Sequence, residues 1–175
     1  MGPVTIDGIT GYQVRANGAY ELKGKITIPA KYNDLPVISM GYFTNALRAT
    51  GIFFMDNEQF YEVAESAFKT DIFNTDIHLK GVYLPESVRY IRNNAFNGVQ
   101  GLEHVSDKFI KSEGVTIGHL SDNLVYIGER AFYNTKKLYV ANLPSKLTVV
   151  KNNSFYEAGP NVTLSTLPDN ITTIE

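Results

Sequence analysis

Three histidines, His78, His104 and His119, are the first residues to weigh for metal chemistry. A helical zinc site needs two histidines four apart, so that both imidazoles share one face beside a glutamate base. The three histidines fit no such pattern, and all fall in or near segments that read as strands. Ser66-Ala67-Phe68-Lys69 matches the Ser-x-x-Lys of serine acylases, where the lysine sits beside a nucleophilic hydroxyl. No companion motif accompanies it, and Ala67 and Phe68 belong to a repeat. Gly18 to Lys25 resembles a phosphate-cradling loop. It has one residue too many between its glycines, and Ile26 stands where a magnesium-binding hydroxyl is needed. Asp56-Asn57-Glu58 lacks the alternating spacing of a calcium loop and reads as an acidic turn. Asn152-Asn153-Ser154, Asn161-Val162-Thr163 and Asn170-Ile171-Thr172 match the glycosylation sequon, but Asn and Thr at turn positions account for them as well. No catalytic, metal or cofactor constellation survives, and no enzyme is expected.

The elements that carry these residues follow a period. Leu79, Val82, Leu84, Pro85, Val88, Ile91, Ala95 and Phe96 form a skeleton. It returns at Leu138, Ala141, Leu143, Pro144, Leu147, Val150, Ser154 and Phe155, and starts again at Leu167, Pro168, Ile171 and Ile174. Leu79 to Leu102 spans 23 residues, as does Ala131 to Ser154. Such a period is the mark of a solenoid, whose coils bury their apolar faces only against one another. Val82 and Leu84 alternate as on a half-buried strand, and the proline that follows ends ladder pairing. Asn93-Asn94-Ala95-Phe96 reads as one short helical or 3₁₀ turn.

Composition bounds the partners. The 175 residues carry 16 basic and 18 acidic side chains without a block of either sign. That argues against nucleic acid or anionic lipid as the main partner. There is no cysteine, hence no disulfide or thiolate chemistry. No apolar run is long enough for membrane insertion; Gly51 to Met55 is far too short.

The segments LPESVRYIRNNAFNGVQGLEHV, LSDNLVYIGERAFYNTKKLYVANLP and LPSKLTVVKNNSFYEA resemble the BspA-like leucine-rich repeats of bacterial and some protist surface proteins. The resemblance spans about residues 25–175. The frequent cysteine after Ala-Phe is replaced by Asp71, Val99, Thr135 and Ala158, and the first coil has Gly41-Tyr42-Phe43 in place of Ala-Phe. The resemblance implies a right-handed leucine-rich-repeat solenoid, mostly β, with one parallel sheet and short helical or 3₁₀ turns on the opposite face. It also implies a non-catalytic, extracellular or cell-surface adhesion module.

Residues 1–24, with Ile6, Ile9, Tyr12 and Val14 in short segments broken by glycine, are expected to cap the first coil. Residues 25–175 are expected to form about five coils and a sixth that breaks off at Glu175, as in a piece of a longer array. The expected inward ladder includes Val88, Ile91, Phe96, Leu124, Ile127, Phe132, Leu147, Val150 and Phe155. Thirteen extra residues, 106–118, fall between the third and fourth coils as a protruding hairpin or loop. Buried slots are committed to the repeat, so recognition is expected at outward strand slots. These are Thr27, Tyr83, Asn142 and Thr166, with Tyr139 and Val140 beside them, and Lys108, Phe109 and Lys111 of the insert are further candidates. Tyrosine gives contact area at small entropic cost. The expected partner is a host or matrix protein. A glycan partner and a passive spacer role stand as alternatives.

Overall fold

The second and third coils each fold as two short strands joined by a polar corner and closed by an Ala-Phe turn. The computed structural model describes residues 3–16, 22–55, 57–71, 74, 76–106, 110–112, 115–117, 120–141, 143–160, 162 and 167–174; for 106, 110–112 and 115–117 it describes the backbone alone. The chain opens with a hairpin of β1 (Val4–Ile6) and β2 (Ile9–Val14), turning through Asp7 and Gly8 at φ 50° and 79°. Positive φ at both turn residues matches the right-handed twist of paired strands.

The first coil holds β3 (Gly24–Ile28), a ribbon strand β4 (Lys31–Tyr32) and β5 (Leu35–Met40). Thr44–Ala46 is the one 3₁₀ turn among the described residues. The second holds β6 (Ala49–Phe54) and β7 (Glu62–Val63), the third β8 (Gly81–Tyr83) and β9 (Tyr90–Ile91). The fourth holds β10 (His104–Ser106), an antiparallel hairpin of β11 (Ile110–Ser112) and β12 (Val115–Ile117), and β13 (Tyr126–Ile127). A parallel bridge from Val140 to Val162, then β14 (Val149–Val150) and β15 (Thr173–Ile174), continue the stack. No helix among the described residues is long and apolar enough to cross a membrane.

The structure is a β-solenoid, and it carries two parallel sheets where one was expected. The short sheet runs β3-β6-β8-β10, and the long one runs β2-β5-β7-β9-β13-β14-β15. The return path through Val88 and Ile91 is itself a ladder, because Tyr90–Ile91 pairs with strands on both sides. Two residues per strand are too few to show a period of two, so the second ladder was hidden. The 106–118 insert contains a hairpin, as its length suggested.

The Ala-Phe segments are hydrogen-bonded turns, not helical ones. Phe68 N–H donates to Ala95 O (2.7 Å), Phe96 to Ala131 O (2.8 Å) and Phe132 to Ser154 O (2.8 Å). The residue before the small one is left-handed each time: Ser66, Asn94, Arg130 and Asn153 have φ between 52° and 57°. That geometry breaks helical continuation and aims the phenylalanine inward. Its ring then stacks on the next coil's: Phe68–Phe96 5.1 Å, Phe96–Phe132 5.4 Å and Phe132–Phe155 5.2 Å between centroids. All the expected inward residues are buried except Val150 and Phe155, which are half-buried against the same core.

Polar side chains at the corners satisfy carbonyls the strands leave unpaired. Asn57 Nδ2 donates to Val37 O (2.6 Å), Ser87 Oγ to Asn57 O (2.6 Å) and Asn170 Nδ2 to Ser145 O (2.8 Å).

Candidate binding surface

Strand geometry turns alternate residues outward, so the short sheet presents two columns. Register aligns Thr27, Phe53 and Tyr83 in one, and Gly51, Gly81 and His104 in the other. Phe53 and Tyr83 stack at 4.5 Å with planes 15° apart. Each ring leans back along its own strand over a glycine. A Cβ on Gly51 would lie 2.9 Å from the Phe53 ring, and one on Gly81 would lie 2.6 Å from the Tyr83 hydroxyl. The glycines are thus the floor on which the two half-buried rings lie. Lys25 Nζ approaches the Phe53 ring to 5.6 Å, a cation–π contact that closes the platform on its outer edge.

Charge frames the other edge. Lys80 and Glu103 pair at 3.7 Å. Burial pushes the Tyr83 phenol up from its ordinary pKa, and the Glu103 charge adds to this. Tyr83 is therefore a neutral hydroxyl at physiological pH. Burial lowers the His104 pKa, with Glu103 opposing, and the buried Nδ1 of this imidazole has no hydrogen-bond partner.

That last feature has a measurable outcome. A folded-state pKa below the unfolded value near 6.5 means that the unfolded chain takes up the proton first. Stability from this group is complete above that value and is lost as pH falls towards the folded pKa. The urea midpoint is expected to fall more steeply between about pH 7.5 and about pH 5.5 in the native chain than in a His104→Gln variant. Equal slopes would remove His104 as the cause.

The expected site residues fare unequally. Tyr83 and Thr27 face outward as expected, the first half-buried and the second exposed. Tyr139 is half-buried, and its N–H donates to Glu103 O (3.0 Å) as that of His104 does to Lys80 O, which sets it in line with His104. Val140 is a correction: it is 1% exposed and packs in the core. It takes the inward slot of Val82 and Val105, because two residues separate it from buried Leu143 where one separates Val82 from Leu84. One extra residue flips the face. Asn142, Thr166, Lys108 and Phe109 lie outside the described residues, as does His119. Lys111 sits in β11, of which the backbone alone is described.

Sequence reasoning missed Phe53, the other half of the platform. The signal was present: Gly51-Ile52-Phe53 repeats Gly81-Val82-Tyr83 as glycine, inward aliphatic, outward aromatic. Ser66 of the Ser-x-x-Lys match is a turn residue whose N–H donates to Asn93 O (3.0 Å), beside fully buried Ala67 and Phe68. The repeat explains it.

The model of the BspA type leucine rich repeat region matches residues 21–107 and 106–175, with six copies. The crystal structure of the T. pallidum leucine rich repeat protein TpLRR is similar in fold. It aligns at 20% identity over 83% of this chain and 70% of its own, with a TM-score of 0.53. A leucine-rich repeat protein from Bacteroides ovatus ATCC 8483 aligns at 21% identity over 96% of this chain and 54% of its own, with a TM-score of 0.39. No curated protein matches the chain. The repeated Ala-Phe turns, the parallel ladders and the family match agree: this chain belongs to the BspA type leucine rich repeat family.

Proposed function

We propose that the chain is a non-catalytic, secreted or surface-displayed module that binds a protein partner through the outward face of the short sheet. The observation that carries this is the stacked Phe53–Tyr83 pair, held half-exposed over two glycines. An aromatic pair in this position supplies preorganised apolar area of the kind that anchors protein interfaces. Repeat scaffolds of this type offer long surfaces for such contacts. A sugar needs a free ring face to stack on, and here Tyr83 and Lys25 are both placed against the Phe53 ring. That favours a protein over a glycan.

The test compares the native chain with Phe53→Ala/Tyr83→Ala as baits for host or matrix extract, beside a glycan array. The double variant is expected to fold, with a loss of roughly 1–2 kcal/mol from the stacked pair. It is expected to lose the protein that the native chain retains. Retention of the same partner by both baits would move recognition away from this face. A glycan signal abolished by the double change would favour the carbohydrate reading.

A further inference from the structure

The hairpin β1–β2 does not stop at the edge of the long sheet. Its pairing with β5 is limited to Tyr12, Gln13 and Val14, so residues 4–11 form an arm that pairs only with itself. Gly11 is where the arm leans on the solenoid. A Cβ there would lie 2.4 Å from Pro36 O and 2.6 Å from the Ile38 side chain, so only glycine permits the approach. Ile38 is fully buried yet stands apart from the core cluster. The tip of the arm reaches the third coil. Asp7 Oδ2 accepts from Arg89 Nη1 at 3.0 Å and from the Tyr90 hydroxyl at 2.8 Å, across more than 80 residues of sequence.

The surface that receives Asp7 is built for a carboxylate. The Arg92 guanidinium lies 4.3 Å from the Tyr90 ring centre and 5.8 Å from that of Tyr126, and Arg89 lies 5.6 Å from Tyr90. Arg92 Nε donates to Glu62 at 2.9 Å; Ser39 Oγ donates to the same carboxylate, and Gln13 Nε2 donates to Ser39 Oγ. Arg89 and the Tyr90 hydroxyl are left to bind the visiting acid. Burial, and then the bond to Asp7, hold the Tyr90 phenol above its ordinary pKa, so it is a donor throughout the physiological range. The Asp7 and Arg89 side chains are 38% and 43% exposed. A pair so open to water is weak and screened by salt.

We infer that the arm is a displaceable strap: Asp7 occupies, within its own chain, a docking site for an acidic turn of a protein partner, made by Arg89 and Tyr90 and flanked by Arg92 and Tyr126. The Arg89 charge, the Tyr90 hydroxyl and the carboxylate already seated there identify that chemistry. The site lies on the long sheet and is independent of the short-sheet reading above.

The experiment titrates the full chain with a short fluorescein-labelled peptide of alternating Asp and Gly, and with its Asn-Gly counterpart. Asp7→Gly keeps a residue suited to positive φ and removes the carboxylate. It is expected to bind the acidic peptide about two- to fivefold tighter than the native chain, the gain from unblocking a site occupied by a weak pair. Asp7→Gly/Arg89→Gln is expected to lose that gain, and the Asn-Gly peptide to bind none of the three. Amide exchange in residues 4–11 is expected to rise when the native chain takes up the acidic peptide. No gain from Asp7→Gly overturns the inference. So does a gain that survives Arg89→Gln with an unchanged circular dichroism spectrum, or uptake of the peptide with the arm's exchange unchanged.

Discussion

Phe96→Ala is expected to cost roughly 3–5 kcal/mol, the range for emptying a buried phenylalanine site. Phe96 is fully buried and stacks on Phe68 and Phe132, at 5.1 Å and 5.4 Å with planes 10° and 4° apart. The rings are held by backbone turns that are themselves locked to both neighbouring coils, so the gap cannot close by a small shift. Domains of this kind have roughly 5–15 kcal/mol in total. At this size, a melting temperature lower by roughly 6–20 °C is expected. Phe155→Ala is the internal comparison. Phe155 is half-buried, and its ring is stacked on Phe132 at 5.2 Å. It is expected to cost clearly less. Equal losses at the two positions would mean that the stack does not act as a column.

Gly98→Ala is expected to destabilise by at least about 2 kcal/mol, through clash added to left-handed strain. Gly98 has φ +82°, and a Cβ there would lie 2.4 Å from the backbone oxygen of Thr70. Its N–H donates to Tyr133 O at 2.9 Å, so the residue is fixed from the opposite side too. The positive φ alone is not the obstacle. Asn134 and Glu157 occupy the same place after Phe132 and Phe155, with φ 56° and 55°. What sets Gly98 apart is the neighbouring carbonyl. Thermal melts of Gly98→Ala would check this, and a change under a few tenths of a kcal/mol would show that the two coils can part without cost.

How much of this was legible can be traced residue by residue. A residue repeated in the same chemical role was visible, as with the phenylalanines, the small residue before each and the corner prolines. The apolar ladder followed from them, because each coil repeats one solution to burying its face. Faces were legible only while the spacing held. Val140 was misplaced because a single additional residue before Leu143 reverses inside and outside. The second sheet was hidden because its strands are two residues long. The meeting of Asp7 with Arg89 and Tyr90 left no local signal at all. Sequence patterns report neighbours along the chain or at one repeat's distance, and this contact spans several coils.

The short sheet narrows along the stack. Its width falls from six residues in β6 to three in β8 and β10, and beyond it a one-rung bridge of Val140 and Val162 stands among the described residues. A stack cross-linked unevenly is mechanically graded. Pulled along its axis, it parts first where the rungs are fewest and releases slack one coil at a time, about 80 Å for each repeat drawn out straight. The coils that carry the Phe53–Tyr83 platform, joined by three rungs between β6 and β8, yield later. A grip made through that platform would then outlast the partial unravelling of the chain beyond it, and the thinner coils would serve as a shock absorber in series with it.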